Sequence, residues 1–142
     1  MDHAGQHQAD ITAHISAGEP RKALTAIDRI LGDESRVDDQ ATHAWLYRKK
    51  AQCHFMRSET ADAHSSAEAS LAAARRAGDR LEEAEAENAL GVVYGETGEP
   101  EQSVRHLERS YQLHRELNSS RMSSVLNNIG NTCLIMDDAE RA

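Results

Sequence analysis

One short turn-like segment recurs along the chain about every forty residues, and this spacing constrains the fold more than any other feature. Its copies are Ala17–Ala23 (AGEPRKA), Arg57–Ala63 (RSETADA), Thr97–Ser103 (TGEPEQS) and Met136–Ala142 (MDDAERA). In two copies a proline follows two positions after a glycine, as in Gly98 and Pro100. Glycine closes a helix in the left-handed conformation, and proline suits the first turn of the next helix. Each copy therefore predicts a helix end, a turn and a helix start, with Asp137–Asp138 as the turn of the last copy.

The segments between these turns carry apolar residues at helical spacing. Steps of three and four residues give each segment one apolar stripe: Ala23, Leu24, Ile27, Ile30, Leu31; Leu81, Ala84, Leu90, Gly91, Tyr94; Val104, Leu107, Tyr111, Leu117; and Val125, Leu126, Ile129, Cys133. Gly78 and Asn118, forty residues apart, predict a second kind of turn at the opposite end of the helices. Asp79 and Glu82 predict a capping pair at the helix start that follows Gly78. Each period is then two antiparallel helices, in units of about 1–38, 41–78, 79–118 and 120–142.

Composition and charge exclude several classes of protein. Runs of alternating β-branched and aromatic residues are missing, so we expect an all-α chain. The net charge of −8 argues against nucleic-acid binding, which depends on Lys and Arg contacts to phosphates. No segment is apolar enough to predict a membrane span, and the N-terminus does not have the pattern of a secretory signal. Cys53 and Cys133 stand far apart, which predicts small core thiols in a reduced cytoplasmic protein without a cofactor.

The third period carries a specific motif in addition to its spacing. In Asn88–Ser110 (NALGVVYGETGEPEQSVRHLERS) a Leu-Gly pair precedes an aromatic residue, a turn glycine and small residues of a second helix. The segment resembles a tetratricopeptide repeat in Leu90, Gly91, Tyr94, Gly98 and Pro100, and the pair recurs as Ile129 and Gly130. Glu87 departs from the family, which usually has a large apolar residue there. The resemblance implies an all-α, right-handed superhelical solenoid of antiparallel helix pairs, with long repeats as in bacterial signalling proteins. It also implies close helix approach at Gly91 and Gly130.

The resemblance further implies where a partner binds. In the family, the first helices of successive units line a concave groove that accepts a peptide or a helix. The corresponding positions are Trp45, Arg48, Lys49, Gln52, Glu85, Asn88, Ala89, Val92, Ser124, Asn127, Asn128 and Asn131. By the same resemblance Asn128 holds a partner's backbone through its amide, which both donates and accepts; the alternative is a set of solvated asparagines on a helix face. Lys49 with Arg48 would attract an acidic group. The two-carboxylate clamp of chaperone-binding relatives is not reproduced, because Glu85 is acidic and Val92 is apolar.

Other candidate chemistry is weaker. His3, His7 and His14, with Asp10, have the spacing of metal ligands on one helix face. A polar N-terminal helix explains them as well, and we expect no metal site. His106 and His114 lie in a repeat helix, where packing or exposure explains them better than catalysis. The sequence has no Ser–His–Asp order, phosphate-binding loop or dinucleotide fingerprint, so we expect a protein that is not an enzyme.

The resemblance implies a function in protein–protein interaction. The final segment begins a second helix of the fourth unit and stops after one turn, whereas a solenoid normally ends in a capping element with a polar outer face. We therefore expect the N-terminal part of a longer protein, in which a sensory module controls an attached output domain such as a diguanylate or adenylate cyclase. A stand-alone adaptor is the alternative, and a helical protein that binds a metal or small ligand is a further one.

The incomplete fourth unit also predicts self-association. Val125, Ile129 and Cys133 would lack the helix that covers their counterparts in the third unit. Apolar surface of this kind is more stable when buried, and a two-fold axis is the commonest way for soluble chains to pair. We therefore expect a homodimer formed mainly by Met122 to Met136.

Overall fold

The computed structural model describes residues 3–33 and 39–141, and within these ranges the chain forms α-helices and no strands. The helices are α1 (His3–Ser16), α2 (Pro20–Leu31), α3 (Gln40–Met56), α4 (Thr60–Ala77), α5 (Arg80–Glu96), α6 (Pro100–Glu116) and α7 (Met122–Arg141). Consecutive helices pack against each other, and α3 also contacts α5, which in turn contacts α7. The described part is thus the expected all-α solenoid, in which α3, α5 and α7 lie side by side.

The turns between helices repeat one local geometry. A residue with positive φ stands at five of them, the turns after α1, α3, α4, α5 and α6: Gly18 (73°), Ser58 (60°), Gly78 (66°), Gly98 (78°) and Asn118 (52°). At each turn the next residue donates its N–H to a carbonyl five positions earlier, as from Glu99 to Tyr94 at 3.0 Å. This bond satisfies a carbonyl that the end of the helix leaves free. The predicted turns at residues 18, 58, 78, 98 and 118 are confirmed.

The helix starts follow the sequence signals as well. Asp79 accepts a hydrogen bond from the backbone N–H of Glu82 at 3.0 Å, so the predicted cap is present. Asp39 does the same for Thr42 at 2.6 Å. The two prolines occupy the first positions of α2 and α6. Local sequence therefore sets where each of these helices begins.

Small residues hold the helix pairs close together. Ser70 Oγ donates to the carbonyl of Ala44 at 2.7 Å, and Ser110 Oγ donates to the carbonyl of Ala84 at the same distance. These two bonds lie forty residues apart and join corresponding positions of α3/α4 and α5/α6. A repeated hydrogen bond from a fully buried serine fixes the distance between the two helices of each pair.

Gly91 and Gly130 differ, although the repeat pattern makes them equivalent. A Cβ at Gly91 would lie 2.5 Å from Leu107 Cγ and 3.2 Å from the carbonyl oxygen of Ser103, so α5 and α6 do approach closely there. A Cβ at Gly130 would have no heavy atom of the described chain within 4 Å. The expectation of close approach is confirmed at Gly91 and is wrong at Gly130, because no second helix packs on α7 there.

The last helix also corrects the sequence prediction. α7 continues through Asp137–Asp138 to Arg141, so the expected turn is absent. This copy of the segment has neither glycine nor proline, and Ala139 and Glu140 favour continuation of the helix, whereas the Arg57–Ala63 copy, which also lacks both, turns with Ser58 in the left-handed conformation. α7 is therefore a single long helix, and the predicted start of a second helix in the fourth unit is wrong.

The side of α7 that faces the solenoid also differs from the predicted stripe. Val125 and Thr132 are buried and Ile129 is partly buried, whereas Leu126 and Cys133 are exposed. Cys133 is thus not the core thiol that the sequence suggested, while Cys53 is fully buried. Leu81 and Leu117, which the pattern placed in stripes, lie near helix ends and are also exposed.

Candidate partner-binding groove

A cavity of about 560 Å³, the α3–α5 groove, lies between α3 and α5. Eight of the predicted groove residues line it: Trp45, Arg48, Lys49, Gln52, Glu85, Asn88, Ala89 and Val92. On each helix these positions follow steps of three and four, so they share one face, and each α3 position recurs forty residues later on α5. Repeat periodicity alone therefore brings these side chains together.

The four predicted positions on α7 lie outside this cavity. Ser124, Asn127 and Asn131 are exposed, and Asn128 is partly buried. Asn128 Nδ2 donates to Asn88 Oδ1 at 3.0 Å, which joins α7 to the α3–α5 groove. Of the predicted asparagines on α7, Asn128 is thus the one that reaches a residue lining the groove.

Four residues that were not predicted from the sequence also line the groove, namely Ala51, Phe55, Val93 and Arg121. Arg121 comes from the turn before α7, and its Nε lies 2.6 Å from Glu85 Oε1. A basic residue beside a turn gives no sign in the sequence of which helix it will contact. Phe55 follows Gln52 by three positions, so continuing the α3 face by one step would have identified it.

Ion pairs neutralise both acidic side chains at the groove. Arg48 donates to Glu82 from Nε at 3.0 Å and from Nη2 at 3.3 Å, a two-pronged pair. Arg121 pairs with Glu85, and Arg48 Nη1 lies 3.9 Å from the other oxygen of Glu85. Glu85 therefore does not make the groove acidic, although the sequence alone suggested that it would.

The environment of Lys49 differs from that of Arg48 and Arg121, which both pair with glutamates. Its Nζ lies 5.5 Å from the centroid of the Trp45 ring, and no carboxylate of the described chain lies within ion-pair distance of it. Burial lowers the pKa of Lys49, and the positive charges of Arg48 and Arg121 lower it further, outweighing the opposite effect of the two glutamates. The groove thus holds a partly buried ammonium group that has no direct ion-pair partner among the described residues.

His114 does not line the groove but lies close to Glu85, which does. Its side chain is 1% exposed, and its Nε2 lies 3.6 Å from Glu85 Oε1. Its Nδ1 is buried without a hydrogen-bond partner in the described chain. Burial lowers the pKa of His114; Glu85 opposes this shift and Arg121 adds to it. The ring therefore packs as a neutral side chain.

The unusual Glu87 belongs to a polar cluster away from the groove. Glu87 is 1% exposed, and its carboxylate lies 2.6 Å from His106 Nδ1 and 3.2 Å from Arg75 Nη2. His106 stacks on Tyr94, whose hydroxyl forms a hydrogen bond with His64 at 3.0 Å. A glutamate is accommodated in place of the apolar residue of the repeat motif because Arg75 of α4 and Arg109 of α6 lie within ion-pair distance of it, at 3.2 and 3.7 Å.

Among the N-terminal residues whose side chains are described, His7, Asp10 and His14 are not brought together as a group of possible metal ligands. Asp10 accepts a hydrogen bond from Gln6 at 3.0 Å, and His14 lies 3.7 Å from Glu19. The side chain of His3 lies outside the residues whose side chains the structure describes. A group of possible metal ligands among the described residues is instead His54, Glu59 and Asp62. Arg57 Nε lies 2.7 Å from Glu59, so that carboxylate already has a cationic partner.

Comparison with known proteins agrees with this architecture. The family model of the tetratricopeptide repeat matches residues 42–116. The crystal structure of BtubC (BKLC) from P. vanneervenii superposes with a TM-score of 0.68 and 21% sequence identity, over 96% of this chain and 53% of that one. The likeness shows a shared fold, and this chain spans about half the length of that protein. No curated protein sequence matches the chain. Within the described residues, no helix is long and apolar enough to cross a membrane.

Proposed function

Because the chain belongs to the tetratricopeptide repeat family, whose repeats generally bind proteins and are not enzymes, we propose that the α3–α5 groove binds a peptide or helix of a protein partner. One observation carries the proposal: eight family groove positions converge on a cavity of about 560 Å³. This volume falls in the range of small-ligand pockets, so it accepts a few side chains of a partner rather than a whole domain.

The lining suits an amphipathic segment. Trp45, Phe55 and Val92 supply apolar surface, on which a partner's side chain can lose contact with water. Asn88 and Gln52 supply amide groups that can both donate to and accept from a peptide backbone. Asn128, bonded to Asn88, extends these amides towards α7. The groove therefore combines an apolar contact with backbone recognition.

Filling the groove tests this proposal. Val92→Arg places a long charged side chain in the cavity, and Leu81→Arg places the same side chain on an exposed position of the same helix. Proteins captured from native lysate by the immobilised chain should be lost with Val92→Arg and retained with Leu81→Arg. Circular dichroism checks that both variants remain folded. Equal capture by Val92→Arg would contradict the proposal.

The amide contribution has its own matched pair. Asn128→Ala removes a side chain that reaches the groove, and Asn127→Ala removes its exposed neighbour. We expect Asn128→Ala to weaken capture about five- to tenfold, in line with about 1–1.5 kcal/mol for a hydrogen bond. If both variants change the affinity equally in a quantitative binding assay, Asn128 has no particular role in binding and the two asparagines are ordinary surface residues.

We further propose that occupancy of the groove regulates an output domain joined to this chain, such as a nucleotide cyclase, rather than serving a stand-alone adaptor. Arg121 supports this view, because it lines the groove and directly precedes α7. A partner that moves Arg121 would also move the start of α7. The complete coding sequence of the gene tests the proposal: an output domain supports it, and a protein that consists of helical repeats alone would contradict it.

A second proposal concerns a homodimer through α7. Leu126, Leu134 and Ile135 are 49%, 64% and 56% exposed. The face around Gly130 corresponds to the face of α5 that α6 covers, so it has the shape of a helix-binding surface. We propose that the α7 of a second copy packs on it about a two-fold axis. Light scattering should give a dimer that Ile129→Glu and Leu134→Glu each weaken; a monomeric mass at tens of micromolar would refute it.

A further inference from the structure

We infer that the partner segment bound in the α3–α5 groove is acidic, with a carboxylate side chain paired to Lys49 next to the apolar surface of Trp45. This inference rests on the proposed function, since it concerns the same groove. It goes further by naming the chemistry of the partner and the residue of this chain that selects it.

Charge complementarity within the groove carries the inference. Three cations line the cavity, Arg48, Lys49 and Arg121, against a single lining carboxylate, Glu85. Arg48 is engaged by Glu82 and Arg121 by Glu85. Lys49 has no such counterion among the described residues, and its described contact is with the Trp45 ring. A partly buried ammonium without a counterion is energetically unfavourable, and a carboxylate from outside the chain would relieve that cost.

The surroundings of the site strengthen this charge pattern. The chain as a whole carries a net charge of −8, so a cationic groove is a local exception to its composition. Opposite charge across an interface orients a partner and speeds its association. Arg48 and Arg121 lie close enough to lower the pKa of Lys49, and their effect outweighs the opposite effect of Glu82 and Glu85, so the net potential at Lys49 is positive.

A protein segment fits this site better than nucleic acid does. Trp45, Ala89 and Val92 lie beside Lys49 and offer apolar area to a side chain. Nucleic-acid binding requires Lys and Arg along an extended phosphate backbone, and the overall negative charge opposes it. The preferred segment is therefore one in which Asp or Glu lies next to an aliphatic or aromatic residue.

Selection from a random peptide library on the immobilised chain tests the inference. Lys49→Gln removes the unpaired charge, and Lys50→Gln is the matched control, because Lys50 is the next residue and pairs with Asp28 at 2.9 Å away from the groove. Selected peptides should be enriched in Asp and Glu beside an apolar residue. Their affinity should fall about tenfold or more with Lys49→Gln, as expected for loss of a charge-assisted contact, and should not change with Lys50→Gln.

The other outcomes separate this inference from the proposed function. Selected peptides whose binding is abolished by Val92→Arg depend on the groove. If such peptides are not acidic, the inference is overturned and the proposed function stands. A library that yields no peptide dependent on the groove would overturn both. A single-stranded oligonucleotide that binds as tightly as the selected peptides, with the same dependence on Lys49, would overturn the assignment to a protein partner.

Discussion

Alanine at Gly91 and at Gly130 should have opposite effects on stability, although the two glycines are equivalent in the repeat. Replacing glycine by alanine inside a helix stabilises it by about 0.8–1.0 kcal/mol, and this gain is common to both positions. At Gly130 the new methyl group meets no heavy atom of the described chain within 4 Å, so we expect a gain of up to about 1 kcal/mol.

At Gly91 the same methyl group would meet the side chain of Leu107. Its Cβ would lie 2.5 Å from Cγ and 2.6 Å from Cδ2 of that leucine, and 3.2 Å from the carbonyl oxygen of Ser103. Leu107 is fully buried, so it has little room to move. Overpacking of this kind costs about 1–3 kcal/mol, which exceeds or cancels the helical gain. The difference between the two variants is therefore about 1–3 kcal/mol, with Gly91→Ala the less stable.

Urea denaturation followed by circular dichroism measures this difference as a change in midpoint at a constant slope. A double-mutant cycle with Leu107→Ala provides the control, because removing the leucine side chain should relieve the clash with Ala at position 91. Equal free energies of unfolding for Gly91→Ala and Gly130→Ala would refute the close contact of α5 with α6. So would the absence of coupling between Gly91→Ala and Leu107→Ala.

Three further predictions concern buried groups. Ser110→Ala removes the hydrogen bond to the Ala84 carbonyl and should lower the free energy of unfolding by about 0.5–1.5 kcal/mol in urea titrations; an unchanged midpoint would contradict it. Burial lowers the pKa of His114, so below about pH 6.5 the unfolded chain binds a proton that the folded chain resists. The free energy of unfolding should therefore decrease as the pH is lowered, and His114→Gln should make it less dependent on pH. Burial raises the pKa of Cys53 to about 11, so a thiol reagent at neutral pH should modify exposed Cys133 first, and equal rates would count against this fold.

Much of this fold follows from local sequence signals. The turns could be predicted because Gly18, Gly78, Gly98 and Asn118 all tolerate the left-handed backbone that each turn uses. Ser58 adopts the same conformation without being glycine or asparagine, and the forty-residue period rather than its own propensity identified it. The positions that line the α3–α5 groove were predicted from the resemblance to the tetratricopeptide repeat, and periodicity explains why Trp45 and its neighbours share one face.

The remaining features depend on contacts between distant segments. Glu87 departs from the repeat motif, and its burial is explained by Arg75, His106 and Arg109 from other helices. Arg121 reaches the groove through a turn whose direction the sequence does not encode locally. α7 continued past the expected turn because Asp137–Asp138 has no residue that stops a helix. For Glu87 and Arg121 the deciding interaction therefore lies outside the repeat motif, whereas the course of α7 is set by its own sequence.

The fluorescence of Trp45 tests the central claim most directly, that the α3–α5 groove is the binding surface. Trp45 is the single tryptophan of the chain and lines the groove, so its emission reports on this site alone. Titration with a selected acidic peptide that contains no tryptophan should shift or quench the emission at the concentrations at which fluorescence anisotropy of the labelled peptide shows binding. Val92→Arg should abolish both signals together. Binding by anisotropy with unchanged Trp45 emission would place the partner elsewhere on the protein and contradict the claim.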